Sequence, residues 1–206
     1  MSVDGPIRVL LADDQALVRG ALAALLDLEP DIEVVAQVGR GDEVVPAARR
    51  SAAHVCLLDV EMPGADGIEA AARLRAELPE VRSLVVTTFG RPGYLRRALE
   101  AGASGFVVKD TPAGELADAV RRVHAGLRVV DPALAADSLA EGANPLTDRE
   151  REVLRAAREG LRVAEIAARV HLSQGTVRNY LSSAIAKTGA STSAQAAQVA
   201  EARGWL

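Results

Sequence analysis

The chain has 206 residues, of which 49% are hydrophobic and 25% charged, a composition typical of a folded protein with one large or two small domains. No apolar run approaches the length of a membrane span, and the N-terminus lacks the basic-then-apolar pattern of a secretory signal, so we expect a cytoplasmic location. The single cysteine, Cys56, excludes an intrachain disulfide framework and a cysteine-based zinc cluster.

Charge is distributed unevenly along the chain. Residues 1–145 contain 15 basic and 22 acidic side chains, whereas residues 146–206 contain 9 basic and 6 acidic ones. We therefore expect two differently charged units joined in one chain. A mildly basic C-terminal unit permits nucleic-acid binding without requiring it.

Apolar runs and helical periods alternate through residue 125. The predicted strands cover residues 7–12, 32–38, 54–59, 83–88 and 105–109, and the predicted helices cover residues 16–28, 42–50, 67–78, 91–101 and 112–125. This alternation predicts an α/β fold in which five parallel strands are covered by helices on both faces.

Acidic side chains follow two of these strands. Asp13 and Asp14 follow the first strand, and Asp59 ends the third. If the two strands are neighbours, three carboxylates share the sheet edge where α/β proteins bind ligands. A divalent cation would offset their repulsion, oxygen ligands with open positions suit Mg²⁺, and a carboxylate facing Mg²⁺ can attack a phosphoryl group. The alternative for Asp13 and Asp14 is a solvated turn.

Two further strand ends fit the same chemistry. Thr87, near the end of the fourth strand, carries a hydroxyl that could donate to a phosphoryl oxygen. Lys109, at the end of the fifth, is one of only two lysines among 24 basic residues. A lysine in such an arginine-rich chain indicates that a compact point charge is needed there.

These residues, with the motifs "DVEMPGADG" and "AGASGFVVKD", resemble the receiver domain of bacterial two-component response regulators over residues 5–127. The resemblance implies a flavodoxin-like, doubly wound sheet and phosphorylation of Asp59 by a histidine kinase. It also implies that Asp14, Asp59 and the backbone carbonyl of Glu61 hold Mg²⁺, with Asp13 contributing through water.

The same resemblance assigns a switch to Thr87 and Phe106. The hydroxyl moves toward the phosphate and the aromatic ring swings inward; the alternative for Phe106 is a plain core aromatic. Many receivers have a small residue after the switch hydroxyl, whereas Thr88 stands here and would narrow access to the phosphate.

A second unit follows a predicted linker at residues 128–144. Thr147 and Glu150 form a capping-box pattern at the start of a helix over 148–159. A helix at 163–169, a turn at 170–172 and a third helix capped by Ser173 predict a helix-turn-helix. The alternative is a plain helical bundle.

The sequence "LTDREREVL…EIAARVHLSQGTVRNYL" resembles the LuxR-type, or NarL/FixJ, DNA-binding domain over residues 145–206. The resemblance implies that helix 173–187 lies in the major groove of double-stranded DNA and that a final helix near 193–203 is a dimer contact, with surface packing as its alternative. The implied DNA-binding residues are Ser173 at the helix start, Thr176 and Lys187 on phosphates, and Arg178, Asn179 and Ser182 on bases.

The sequence therefore predicts a response regulator with a receiver at 1–127, a linker at 128–144 and a DNA-binding domain at 145–206. A sensor histidine kinase would phosphorylate Asp59 with Mg²⁺, and the resulting homodimer would bind paired half-sites. We expect no enzyme activity beyond accepting the phosphoryl group and removing it. The whole-chain resemblance, including "TTFGRPGYLRRAL" and "VRNYLS", is nearest to regulators of membrane-lipid desaturase genes.

Two alternative functions for this chain belong to other classes of protein. A DNA-binding regulator could act without phosphorylation, but the intact set of site residues disfavours this interpretation. An aspartyl-phosphate phosphotransferase would need a second acid two residues beyond the nucleophile, and "ADDQ" does not have that pattern.

Overall fold

A computed structural model describes residues 5–88, 92–132, 134–136 and 144–206. The chain forms two compact units, of which the larger ends at Ala136 and the smaller contains residues 144–206. None of the helices in the described ranges is long and apolar enough to span a membrane.

The larger unit alternates strands and helices as the sequence predicts. Its strands are β1 (Ile7–Ala12), β2 (Ile32–Val38), β3 (Val55–Asp59), β4 (Arg82–Thr87), β5 (Gly105–Val108) and β6 (Val129–Val130), and its helices are α1 (Ala16–Leu26), α2 (Val44–Ser51, after a 3₁₀ turn at Gly41–Glu43), α3 (Gly67–Glu77), α4 (Pro92–Ala101) and α5 (Ala113–His124). The predicted elements are confirmed, and their ends differ by one or two residues, as helix ends commonly do. The predicted first residue of the fourth helix, Arg91, lies outside the described residues.

The sheet is entirely parallel, in the order β2-β1-β3-β4-β5-β6. Helices α1 and α5 cover one face, where Leu26 and Val120 pack with Val9, Leu57 and Val86. Strands β1, β3, β4 and β5 are largely buried on the other face as well, which explains their continuous apolar runs. From β1 the chain first adds β2 on one side of β1 and then adds β3 on the other side. The carboxyl ends of β1 and β3 therefore form the crevice where doubly wound sheets bind ligands.

The number of strands is a correction, because the sequence predicts five and the structure has six. Val129 and Val130, expected in the linker at 128–144, pair with Gly105 and Phe106 of β5. Two residues are too few to show the alternating period that marks a strand. The Asp131 carboxylate then accepts a hydrogen bond from the N–H of Leu134 at 3.0 Å, so the start of the expected linker is ordered within the larger unit.

The smaller unit is entirely helical across its described residues. Its helices are α6 (Asp148–Arg158), α7 (Val163–Arg169), α8 (Gln174–Thr188) and α9 (Ser193–Ala202). The Thr147 and Ser173 side chains cap α6 and α8 as expected. The turn between α7 and α8 contains His171 with a left-handed φ of 53°, and this sharp reversal produces the predicted helix-turn-helix.

Candidate functional site

Strand register brings three carboxylates to one edge of the sheet. Ala12 of β1 pairs with Leu58 of β3, so Asp13 and Asp59 follow side by side. Oxygens of Asp13, Asp14 and Asp59 all lie within 4.8 Å of one another. Asp13 and Asp59 are buried, whereas Asp14 is exposed. The structure therefore brings the three predicted acids together at one end of the sheet, with Asp14 open to solvent.

Lys109 lies between the two buried acids. Thr87 pairs with Val108 across β4 and β5, and the backbone N–H of Lys109 donates to the Thr87 carbonyl at 2.7 Å. Its Nζ lies 2.7 Å from an oxygen of Asp13 and 3.2 Å from an oxygen of Asp59. One ammonium thus serves two carboxylates, with the Asp14 carboxylate close by.

The electrostatics of this site are unbalanced. Burial raises the pKa of Asp59 to about 6; Lys109 opposes this increase and the Asp13 charge adds to it. Burial alone would lower the pKa of Lys109, but hydrogen bonding and charge from Asp13 and Asp59 outweigh it, and the pKa is raised. Three carboxylates face one ammonium, so the oxygen-only donor set retains negative charge that suits a hard divalent cation such as Mg²⁺.

The predicted switch residues lie on adjacent strands. Val85 of β4 pairs with Phe106 of β5, and Thr87 is two residues beyond Val85, on the same sheet face as Phe106. Thr87 is buried and Phe106 is fully buried. This inward position fits both the switch role and the plain core role of Phe106. Thr88 is exposed directly after β4.

Glu61, whose backbone carbonyl is an expected metal ligand, is the second residue after β3 and is exposed. It therefore follows Asp59 at the same end of the strand. This placement is compatible with the expected role of its carbonyl.

Helix α8 has one buried and one exposed face. Val177, Leu181 and Ala184 are buried, one or two turns apart. The predicted base-contacting residues Arg178, Asn179 and Ser182 are all exposed on the opposite face. A single helix face can therefore present these three side chains together.

The start of α8 carries two hydroxyls. The Ser173 side chain accepts from the Thr176 N–H at 3.1 Å, and the two side-chain oxygens lie 2.8 Å apart. The N-terminus of a helix carries partial positive charge, which favours a phosphate there. This position is compatible with the predicted DNA contacts of Ser173 and Thr176, which stay predictions.

Lys187 forms an ion pair that the sequence does not predict. Its Nζ lies 2.7 and 2.9 Å from the two oxygens of Glu150, which is only 3% exposed. Glu150 also accepts from the Ser183 hydroxyl at 2.6 Å and from the Thr147 N–H at 2.6 Å. Burial would raise the pKa of Glu150, but these hydrogen bonds lower it to about 2. The cluster fastens α8 to the start of α6.

Ser183 and Glu150 are the members that sequence reasoning missed. A signal was present, because Ser183 and Lys187 are four residues apart and therefore share a side of α8. Glu150 already had a local explanation in the capping box, which the structure confirms. Lys187 remains a predicted phosphate contact, and the structure adds this second role.

Comparison with known proteins assigns both units. The response regulator receiver domain matches residues 9–121, and the bacterial regulatory proteins of the luxR family match residues 144–200. Transcriptional regulatory protein DesR of Bacillus subtilis (strain 168) is 41% identical over 97% of this chain and 99% of its own length. Transcriptional regulatory protein YvfU of the same organism is 42% identical, over 97% of this chain and 100% of its own length.

Solved structures agree. The response regulator ChrA of a heme-sensing two-component system aligns with a TM-score of 0.59 and 32% identity over 98% of this chain and 100% of that one. The RcsB response regulator of Salmonella typhimurium aligns with a TM-score of 0.72 and 25% identity over 97% of this chain and 99% of that one. The chain therefore belongs to the two-component response regulators that join a receiver domain to a LuxR-type DNA-binding domain and regulate transcription.

Proposed function

We propose that Asp59 is the phosphorylation site and that its phosphorylation converts the protein to a DNA-binding dimer. The supporting observation is the convergence of Asp13, Asp14, Asp59 and Lys109 at the crevice between β1 and β3. Asp59 is the member that ends a strand and faces both the acid pair and the ammonium. A sensor histidine kinase is the phosphoryl donor in this family.

The reaction is a transfer between two side chains. A carboxylate oxygen of Asp59 attacks the phosphorus, the bond between phosphorus and the kinase histidine nitrogen breaks, and its electron pair stays on that nitrogen. Lys109, now paired with Asp59 at 3.2 Å, can then neutralise a phosphoryl oxygen. The Thr87 hydroxyl is the second donor, with Phe106 as the transmitter of the switch.

Mg²⁺ is the cofactor we propose. Asp13, Asp14, Asp59 and the backbone carbonyl of Glu61 would hold it, and their oxygen chemistry fits a hard cation. When bound, Mg²⁺ neutralises charge on the carboxylates and on the phosphoryl group. Asp14 is exposed, so its oxygens are available to the metal while Asp13 and Asp59 keep their contacts with Lys109.

We assign the receiver to residues 1–127, the linker to 128–144 and the DNA-binding domain to 145–206. The pairing of β6 with β5 supports extending the receiver's structural unit beyond residue 127. Residues 137–143 of the linker lie outside the described residues. We also propose a cytoplasmic location and a membrane-lipid target gene, the latter from the whole-chain resemblance alone.

On DNA, we propose that exposed Arg178, Asn179 and Ser182 contact bases. Arginine can form two hydrogen bonds with guanine, and asparagine can do so with adenine. Ser173, Thr176 and Lys187 would contact phosphates. A dimer with two-fold symmetry would place its half-sites about 10 base pairs apart or a multiple of that.

Intact-mass measurement and sizing with acetyl phosphate and Mg²⁺ test this proposal. Wild-type protein and Glu80→Ala, an exposed acid outside the site, should gain one phosphoryl group and shift toward dimer. Asp59→Ala should do neither, and Asp14→Ala should respond weakly because metal binding is impaired. Equal phosphoryl uptake by Asp59→Ala would refute the assignment. DNA binding that ignores phosphorylation would favour the phosphorylation-independent alternative.

A further inference from the structure

A polar cavity lies at the amino ends of the receiver strands, opposite the end that carries Asp59. It has a volume of about 370 Å³ and lies where β4 and β5 begin and where α3, α4 and α5 end. Arg75, Arg82 and Arg128 line it, together with Ser83, Ser104 and Leu127. Among the described residues that line this cavity there is no aspartate or glutamate. We refer to it as the arginine cleft.

The three arginines of the cleft carry uncompensated charge. The structure gives their guanidinium groups no hydrogen bond or ion pair with any described residue. By contrast, Glu77 at the end of α3 is paired with Arg49 of α2 at 3.5 Å. The C-termini of α3, α4 and α5 each contribute about half a negative charge at this edge. Three full positive charges exceed that contribution, so the cleft remains positive.

Two neighbours shape the cleft. Ser83 is only 4% exposed, and within the described ranges its hydroxyl has no hydrogen-bond partner. Gly102 has a φ of 95°, and a Cβ there would lie 2.2 Å from Cδ of Arg75, so the stem of Arg75 lies directly against it. The Ser83 hydroxyl and the three guanidiniums can therefore all donate hydrogen bonds to a ligand that enters the cleft.

We propose that the arginine cleft binds a small phosphorylated compound carrying at least two negative charges, such as a nucleoside diphosphate. Guanidinium groups form paired hydrogen bonds with phosphate oxygens, and the Ser83 hydroxyl can add another. The volume falls in the range of small-molecule sites, and Leu127 supplies an apolar side for a base. This site is separate from the Asp59 site, which lies at the other end of the strands.

ADP and pyrophosphate are the probes, titrated in EDTA so that a metal-dependent anion at Asp59 does not contribute. We expect saturable shifts of backbone amide NMR signals at Ser83, Gly102, Ser104 and Gly126. Signals that shift only near Asp59 or in α8 would overturn the proposal. Shifts of the cleft amides with duplex DNA but with neither probe would also overturn it and would assign the cleft to DNA.

Two double variants distinguish specific binding in the arginine cleft from nonspecific attraction of ADP to positive charge. Arg82→Ala with Arg128→Ala should weaken ADP binding about ten-fold or more, because charged hydrogen bonds are lost. The control pair, Arg50→Ala with Arg122→Ala, removes two other exposed arginines of the larger unit and should leave binding unchanged. Equal weakening by both pairs would refute the cleft. Phosphorylation by acetyl phosphate is measured on the same variants, so a failure of the Asp59 proposal is detected separately.

Discussion

The chain has two lysines, and each contacts a buried carboxylate in a different balance of charge. Lys109 is shared between Asp13 and Asp59, with Asp14 nearby, and the pKa of Asp59 is raised to about 6 because of its burial. Lys187 contacts both oxygens of Glu150, and despite burial the pKa of Glu150 is lowered to about 2 by its hydrogen bonds.

The number of donors per carboxylate accounts for this difference. Glu150 receives hydrogen bonds from an ammonium, a hydroxyl and a backbone N–H, so its charge is satisfied within the fold. At the receiver site, one ammonium contacts Asp13 and Asp59, and Asp14 lies in the same cluster, so negative charge is left for a cation to neutralise. The saturated pair holds two helices together, whereas the unsaturated group is suited to bind and react.

Removing Lys187 should give a large loss of stability. Lys187→Met leaves the Glu150 charge buried without its main partner, and we expect a loss of about 2–3 kcal/mol, at the low end for a broken buried pair because Lys187 is partly exposed. Urea unfolding followed by fluorescence of Trp205, the chain's only tryptophan and part of this unit's core, measures it.

The control for this variant is Arg178→Ala, an exposed site on the same helix, which should change stability by less than about 0.5 kcal/mol. Adding Glu150→Gln to Lys187→Met should recover part of the loss, because no buried charge is then left unpaired. If Lys187→Met is as stable as Arg178→Ala, the ion pair does not hold α8 in place.

The two sites should respond to acid in opposite directions. Glu150 has a folded pKa of about 2 against an ordinary 4.5, so its contribution of about 3 kcal/mol is present above pH 4.5 and is lost as pH falls toward 2. Asp59 has a folded pKa of about 6 against 3.8, so its ionisation costs stability above pH 6, and that cost of about 3 kcal/mol is relieved as pH falls toward 3.8.

Amide exchange in β3 and Trp205 fluorescence, both recorded in EDTA, follow the two units separately. Asp59→Asn should abolish the gain of the receiver between pH 6 and 4, and Glu150→Gln should abolish the loss of the smaller unit below pH 4.5. A receiver that loses stability between pH 6 and 4 would contradict the origin assigned to the Asp59 pKa.

The sequence was informative wherever the signal was local or followed from topology. Strand and helix periods are local, and parallel crossovers bring Asp13, Asp14 and Asp59 to one edge, as the register of β1 and β3 shows. The ion pair between Glu150 and Lys187 joins residues 37 positions apart through helix packing. No periodicity encodes that contact, and each residue had a sufficient local explanation.

DNA-binding measurements should distinguish the role of the exposed Arg178 from that of Lys187, which is paired with Glu150. Arg178→Ala should cost about 1–3 kcal/mol on a cognate duplex and relax preference at one base pair in each half-site. Lys187→Met should weaken all sequences about equally and reduce the salt slope by about one per subunit if Lys187 also contacts phosphate.

Binding to cognate and scrambled duplexes across a salt series measures both effects. If the salt slope of Lys187→Met is unchanged, the ion pair with Glu150 is the main role of Lys187. Equal weakening of both duplexes by Arg178→Ala would show that Arg178 does not contact bases.

The smallest expected effect tests the unsatisfied charge at the receiver site directly. Lys109→Met removes the one ammonium that competes with a cation for Asp13 and Asp59, so Mg²⁺ affinity should rise about ten-fold, or about 1.4 kcal/mol. Calorimetric titration with Mg²⁺ measures this, and Lys187→Met is the matched control, with unchanged affinity expected. Phosphorylation of Lys109→Met should nevertheless fail to produce dimer, because the ammonium that would pair with the phosphoryl group is missing. Weaker Mg²⁺ binding by Lys109→Met would show that Lys109 organises the acids for the metal, and the contrast between an unsatisfied and a saturated lysine site would then be wrong.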